Sequence, residues 1–457
     1  MSLAGISESS AESNTVIPSA PSSVDVPSQP TPSATPAPVA NDASILINGK
    51  AETVGTATNG NRNDQTLTTI ALDQKKLEDK LAAEGKGTVV VSISANRPSD
   101  VIVGELNGQM VKNMQGNQAV LEIKTGNATF TLPAGQINID ALSEQIGKSV
   151  ALQDIKIQIE ISTPTADQVR ALGAAAQKGS FSLVGAPVNF TARGIYGDKS
   201  TELSQFNTYV KRTIAIPEGM DPNKITTGVY VDADGTAHHV PTKVVVIDGK
   251  YFATINSLSG GTYSVIWHPL EFSDVADHWA KEAVNDMGSR LVIEGTGTGQ
   301  FTPDQAITRA EFAAIVVRGL GLELDQAATS FADVKSTDWY NGAINTAFAY
   351  QLINGFEDGM FRPDDQITRE QAMLIIAKAM KITALKAKHS GQSADGFLNP
   401  YTDAGKASDW AISAITDCLQ AGVIMGRSSN VLAPKDDMTR AEVAAIVKRL
   451  LQKSDLI

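Results

Sequence analysis

Cysteine is almost absent from this chain: 457 residues contain one, Cys418. A lone thiol excludes an internal disulfide and a cysteine-built zinc site. Its place in Ala414-Ile415-Thr416-Asp417-Cys418-Leu419 reads as a small buried hydrophobe. Positive charge is also scarce. Lys and Arg number 38 against 50 Asp and Glu, a net charge of −12 and a pI near 5.0. That balance argues against a nucleic-acid partner, whose phosphates need a basic face, and against docking on anionic lipid. An anionic ligand would need clustered cations working against a repulsive global field. No stretch reaches the ~18 apolar residues of a membrane span. Nor does Met1-Ser2-Leu3 open a secretory leader, since neither a basic start nor an apolar core follows. The expectation is a native N-terminus elsewhere and a further domain upstream.

What is present falls into three compositions. Residues 1–43 are Ser, Pro, Ala and Thr, with seven prolines from Pro18 to Pro38. Such a segment cannot offset its ordering entropy by burial and is expected to be a disordered, semi-extended linker. Residues 44–268 read mainly as β. Val89-Val90-Val91-Ser92-Ile93, the alternating run Ile155 to Ile161, and Thr242 to Ile247 are strand patterns. Asn107-Gly108, Asp234-Gly235 and Asp248-Gly249 are hairpin dipeptides. Short helices are expected at Asp73–Glu84 and Thr165–Gln177. The expectation is a β-sandwich-like domain over 44–200 with helical inserts, then a hairpin-rich domain or continuation over 201–270. Phe130-Thr131-Leu132-Pro133 and Ile214-Ala215-Ile216-Pro217 resemble the strand endings of ZU5-type sandwiches.

Catalytic chemistry is hard to find here. His238 and His239 are neighbours on an apparent strand and face opposite sides, so they cannot readily share a metal. Asp232-Ala233-Asp234-Gly235 is similar to the start of a calcium loop but lacks a third ligand and the closing glutamate, and reads as a turn. No nucleophile elbow, phosphate loop or metalloprotease motif is present. No catalytic residue, metal or cofactor is expected.

From residue 271 the chain repeats itself three times. Each copy opens with an aromatic-x-Asp triplet, Phe272-Ser273-Asp274, Phe331-Ala332-Asp333 and Tyr401-Thr402-Asp403. A tryptophan follows: Trp279, Trp339 and Trp410. After a first helix, a loop runs from a glycine (Gly295, Gly355, Gly426) to a proline (Pro303, Pro363, Pro434). A second helix opens at Thr308-Arg309-Ala310-Glu311, Thr368-Arg369-Glu370-Gln371 and Thr439-Arg440-Ala441-Glu442. Trp and Arg recur after 60 residues and then after 71. The extra eleven lie between copies, around Lys386–Phe397, as befits a surface connection. The copies are taken as 271–326, 327–385 and 386–457. Phe312, Ala313, Ile315, Val316 and Leu320 form a helical stripe. Helices this short are expected to pair within each copy as hairpins.

These motifs resemble S-layer homology domains across residues 271–452. The resemblance implies an all-α pseudo-trimer, a six-helix bundle whose three grooves bind an anionic, often pyruvylated, secondary cell-wall polysaccharide in an extracytoplasmic, mostly Gram-positive setting. The residues themselves say something further. Thr-x-x-Glu before an apolar helix is a capping box, which accounts for Thr308, Thr368 and Thr439 with Glu311, Gln371 and Glu442. It does not account for arginine at the first helical position, where the dipole disfavours a cation by roughly 0.3–1 kcal/mol. Arg309, Arg369 and Arg440 beside free N–H groups could bind a carboxylate or phosphate. Alternatively they pair with Asp274, Asp333 and Asp403. The tryptophans read either as core or as sugar-stacking platforms, with Asp277, Asp338 and Asp409 as caps. Gly295, Gly355 and Gly426 permit positive φ or close approach of a sugar. Gln371 and Glu370 are expected to weaken the second groove, and the loop Gly426–Pro434 the third.

The function expected is non-enzymatic anchoring of a secreted, monomeric protein to the wall. The alternatives are the wall-attached tail of a larger polysaccharide hydrolase, or a self-assembling S-layer or adhesin subunit that meets other S-layer proteins.

Overall fold

The structure is a computed structural model, which describes residues 42–85, 87–146, 150–388 and 396–457. The expected linker therefore lies outside the described residues apart from its last two positions, and so does most of the connection around 386–397.

Two sheets build the β region. One runs from edge to edge through Thr242–Ile247, Lys250–Ser259, Gln205–Ala215, Ala128–Pro133, Val120–Lys124, Val90–Ala95, Ala43–Ile47 and Lys50–Ala51. The other runs through Ala237–Val240, Thr227–Val231, Gly261–Trp267, Ser182–Tyr196, Lys156–Ser162, Val101–Asn107, Gln65–Leu72 and Gly55–Arg62, with Lys199–Glu202 also on Ser182–Tyr196. Strand alternation decides which side chains meet between the sheets. Ile157 and Ile159 point inward from one, Phe130 and Ile255 from the other, and all four are fully buried in one core. Strands from before and after residue 200 share both sheets and this core, so residues 201–270 continue the same sandwich. Most pairs are antiparallel. Gln65–Leu72 with Val101–Asn107, and Val90–Ala95 with Val120–Lys124, are parallel.

Helices α1 (Gln74–Ala83) and α4 (Ala166–Lys178) begin where expected, capped by Asp73 and Thr165. Asp248-Gly249 turns a two-residue hairpin with both residues at positive φ. Asn107-Gly108 does not. Asn107 is an N-cap whose side chain accepts the Met110 N–H, and it opens α2 (Gly108–Gly116). Asparagine serves both turns and caps, and the buried Met110, Val111 and Met114 settle the matter in favour of the helix. A third insert is α3 (Ile139–Ile146).

The helical region holds α5 (Lys281–Ser289), α6 (Arg309–Gly319), α7 (Asn341–Ala349), α8 (Arg369–Ile382), α9 (Leu385–Lys388), α10 (Asp409–Gln420) and α11 (Arg440–Lys453). The expected hairpin within each copy gives way to pairing between copies: α7 packs on α6, α10 on α8 and α5 on α11. A loop of nearly twenty residues separates the two helices of each copy, long enough to carry the second helix to a new neighbour. Helix α6 is not amphipathic in the way its stripe suggested. Along α6 every residue but Glu311 and Arg318 is buried, the state of a helix enclosed on all sides.

Backbone bridges close the ring. Thr308 pairs with Gln366, Thr368 with Asp437, and Ala306 with Thr439. Each copy thus holds the next, and the third holds the first. The ring is docked on the sandwich. The Tyr209 hydroxyl donates to the Leu320 carbonyl at 2.7 Å, Arg290 donates to the Thr242 carbonyl, and Leu258 enters the helical core.

A closed ring cannot lose one copy without exposing both its neighbours. Truncation after residue 385 removes the partners of α5 and α8 together. It is expected to abolish the cooperative melting of the remaining helices, followed by circular dichroism, whereas independent hairpins would lose only about a third of the helical signal.

Candidate functional site

Each second helix starts from a complete capping box. Thr308 Oγ1 accepts the Glu311 N–H at 3.2 Å while Glu311 Oε2 accepts the Thr308 N–H at 2.9 Å. Thr368 with Gln371, and Thr439 with Glu442, repeat the arrangement. The box points the next residue, arginine, into the adjoining copy. Arg309 Nε donates to the Phe361 carbonyl at 3.0 Å, Arg369 Nε to Leu432 at 2.9 Å, and Arg440 Nε to Phe301 at 2.9 Å. All three guanidinium groups are buried, and burial pulls each below its usual pKa, though arginine keeps its charge in proteins.

None of the arginines pairs with an aromatic-x-Asp aspartate. Those aspartates hold their own loops instead. Asp274 accepts the N–H groups of Phe301 and Thr302, Asp333 those of Phe361 and Arg362, and Asp403 those of Leu432 and Ala433. The second residue of each pair, Thr302, Arg362 or Ala433, sits before the proline at a φ of 54°, 60° or 55°. Such a conformation costs a non-glycine residue about 1–3 kcal/mol, and the carboxylate offsets it with two charge-assisted bonds. Burial raises the Asp274 carboxyl, but the Phe301 and Thr302 N–H groups outweigh it and hold it below the usual range. The Leu432 N–H does the same for Asp403 against burial, with help from Ala433.

The glycines have a structural reason different from the ones expected. None has positive φ. A Cβ on Gly355 would lie 2.4 Å from the Phe331 ring, on Gly295 2.7 Å from Phe272, and on Gly426 2.5 Å from Tyr401. The triplet aromatic packs where a side chain would be. The tryptophans are not core: Trp279 and Trp339 are 62% exposed and Trp410 52%. Asp277 and Asp338 do not cap the first helices, which start later with Ala280 and Tyr340 as uncapped N-caps. Asp409 is itself the first residue of α10.

Three copies contribute to each of two grooves. Arg309 of the first, Gly355 and Gln371 of the second and Trp410 of the third line a cavity of about 290 Å³. Arg369, then Gly426 and Glu442, then Trp279 line another of about 580 Å³. The loop Gly426–Pro434 thus forms a groove without its second glycine and aromatic. Leu432 stands where the other copies have Phe301 and Phe361, and Arg427, where the second copy has Phe356, pairs with Glu442 at 3.0 Å and Asp436 at 2.6 Å. Arg440 meets Glu311 at 2.9 Å and the Glu294 carbonyl at 2.7 Å.

Two expectations about charge are reversed. Each arginine faces the capping residue of the next copy, so Gln371 lies beside Arg309 and not Arg369. Glu370 is buried and engaged by Lys435 at 2.7 Å and by Ser408, so it does not burden the groove. Sequence reading also missed a second cation nine residues after each arginine: Arg318, Lys378 and Arg449. That recurrence was visible in the repeat. Lys378 and Arg449 line their grooves, while Arg318 pairs with Glu294 at 3.4 Å.

The remaining candidates are structural. His238 bonds Asp232 at 2.7 Å and His239 is buried against Thr227, on opposite faces. Asp232 and Asp234 accept the Thr236 N–H in a turn. Cys418 is buried and donates to the Met373 carbonyl, and burial pushes its thiol up. Among the described residues no group of metal ligands assembles and no helix is long and apolar enough to cross a membrane.

Comparison with known proteins fits this geometry. Residues 271–313, 330–373 and 400–444 match the S-layer homology domain. An amylopullulanase of Thermoanaerobacterium thermosulfurigenes is 29% identical over 388 residues, 84% of this chain and 19% of that protein. The exoglucanase XynX of Acetivibrio thermocellus is 36% identical over 43% of the chain and 18% of its own length. A surface layer protein of Brevibacillus choshinensis is 32% identical over 33% of the chain and 14% of its own. The chain spans less than a fifth of the length of these relatives. The three domains and the surface-layer relative indicate a location at the cell surface or wall.

The loop aspartates give the ring a definite acid response. The folded pKa values of Asp274 and Asp403 are depressed, so their stabilisation is present above the ordinary carboxylate range near 4 and is lost as pH falls through the depressed values. Asp403→Asn is expected to cost roughly 1–2 kcal/mol at pH 7. In urea melts the gap to the parent should narrow steadily below about pH 4. A gap independent of pH would show that the charge contributes nothing.

Proposed function

We propose that this chain, carrying three S-layer homology domains, anchors a secreted protein to the bacterial cell wall by holding an anionic wall polysaccharide in the grooves between its copies. In this reading it acts by binding and not by catalysis. The observation that carries it is the exposure of three tryptophans, each large, apolar and set in a copy whose neighbours supply an arginine. An indole more than half exposed is costly unless it meets a partner, and a flat ring beside a cation suits a sugar that bears an acid group. Several grooves on one closed, pseudo-threefold body would bind a repeating polymer by avidity, because the second engagement is intramolecular. The sandwich, docked through Tyr209 and Leu258, would serve as a rigid spacer.

A second reading is favoured by the amylopullulanase, whose match extends beyond the repeats into the sandwich: the chain would be the wall-attached part of an extracellular glycoside hydrolase. Both readings share the anchoring step. A self-assembling surface-layer subunit is the third. Since one chain closes the ring, the protein is expected to be monomeric in light scattering, and a stable trimer would contradict that.

The arginines are poor subjects for a first test, because each also ties two copies together. The tryptophans are better. Trp279→Ala, Trp339→Ala and Trp410→Ala combined are expected to leave the melting temperature within a few degrees of the parent and to reduce sedimentation with purified cell walls at least tenfold. Full retention on walls by the folded triple variant would overturn the groove reading.

A further inference from the structure

The three grooves share a plan but not a charge. Arg369 already holds the Glu442 carboxylate at 2.7 Å and Arg440 holds Glu311 at 2.9 Å. In the Arg309 groove the corresponding residue is Gln371, which keeps the capping bond to the Thr368 N–H at 3.2 Å but brings no charge. Arg309 lies instead against the rings of Phe356 and Phe361, 4.8 Å from each centroid. Among the described residues it has no carboxylate within 4.0 Å, and those of Asp365 and Asp333 act on it only from farther away. A buried charge without a counter-ion is costly, and here the protein supplies aromatic faces and no anion.

The second cation of this groove is equally free. Lys378 follows Gln371 by seven residues, two turns along the same face of α8, or about 10 Å at 1.5 Å per residue. It lines the same cavity and has no ion pair among the described residues. Burial and the neighbouring Lys381 pull its pKa down. No carboxylate lines this cavity. Leu374, Ile375 and Trp410 add apolar surface to its lining. The Arg369 groove, by contrast, contains Glu442 and Asp304.

We propose that the Arg309 groove is the principal anion site, and that it grips one polysaccharide strand at two acid groups, one on Arg309 and one on Lys378. Gln371 is the residue that selects this groove over the other two. The inference rests on the wall-polymer reading above and adds the charge pattern of the ligand and the order in which the grooves fill.

The test uses the full chain and isothermal titration with carboxylate-bearing wall polysaccharide purified from Gram-positive cell walls, beside the same polymer after carboxyl reduction. Gln371→Glu places in this groove the carboxylate that the other two carry. Its Thr-x-x-Glu box is the one used by the first and third copies, so folding, checked by circular dichroism, is expected to persist. Gln371→Glu and Lys378→Gln are each expected to weaken binding of the acidic polymer at least fivefold at low ionic strength, a loss that shrinks as salt is added. The reduced polymer should bind the parent and both variants alike. If the parent binds the acidic polymer and Gln371→Glu binds it equally well, the selection by Gln371 is wrong while anchoring stands. An unaffected Lys378→Gln overturns the two-point grip. If the parent fails to bind either polymer, the wall-polymer reading falls and this inference with it.

Discussion

Everything in the helical region depends on one side chain placed against local preference: an arginine in the first turn of each second helix, reaching across to the backbone of the next copy. Its Nε holds the carbonyl before the left-handed loop residue, and the loop aspartate holds the N–H of that same residue. The loop is pinned from both sides, by a cation from one copy and an anion from its own. Repeated three times, this closes the ring, and around the Arg309 and Arg369 grooves it places a glycine, an arginine and an exposed indole from three different copies. The unfavourable dipole term at the helix start is small, about 0.3–1 kcal/mol, beside a charge-assisted bond to a buried carbonyl, about 1.5–3 kcal/mol.

The structural and ligand-binding readings of the arginine are therefore not alternatives. The Nε edge is structural in all three copies. The outer edge is what varies. Glu442 and Glu311 occupy it for Arg369 and Arg440, and each glutamate uses one oxygen for its own helix cap and the other for the neighbouring copy's arginine. One substitution, glutamine at 371, keeps the cap and vacates the ion pair. Local helix chemistry and groove charge are thus set by the same position.

Much of this was legible in the sequence. The threefold repeat, the capping boxes and the arginines stand out because a period and a helix start leave residue signatures. Strands such as Lys156–Ser162 were readable from alternation. What was not legible depended on which copy faces which. Gln371 was read as weakening the arginine of its own copy, whereas the ring sets it beside Arg309. The loop aspartates looked like partners for arginine because opposite charges suggest pairing, while the backbone N–H groups that claim them carry no sequence signature. Residue type alone left the tryptophans open between core and platform, because burial depends on neighbours that sequence does not name. Asn107-Gly108 failed differently: one dipeptide serves a turn and a helix cap equally, and only the packing of Met110 and Met114 decides.

The central claim is that the grooves differ in charge and fill in order. Its most direct measurement is fluorine NMR of the chain labelled with 5-fluorotryptophan, titrated with purified acidic wall polysaccharide. Four tryptophans give four resonances: Trp267 in the sandwich and one in each copy. The account predicts that the Trp410 resonance, at the Arg309 groove, shifts first and at the lowest polymer concentration, that Trp279 follows, and that Trp267 stays still. Simultaneous movement of Trp279, Trp339 and Trp410, or movement of Trp339 ahead of Trp410, would contradict it.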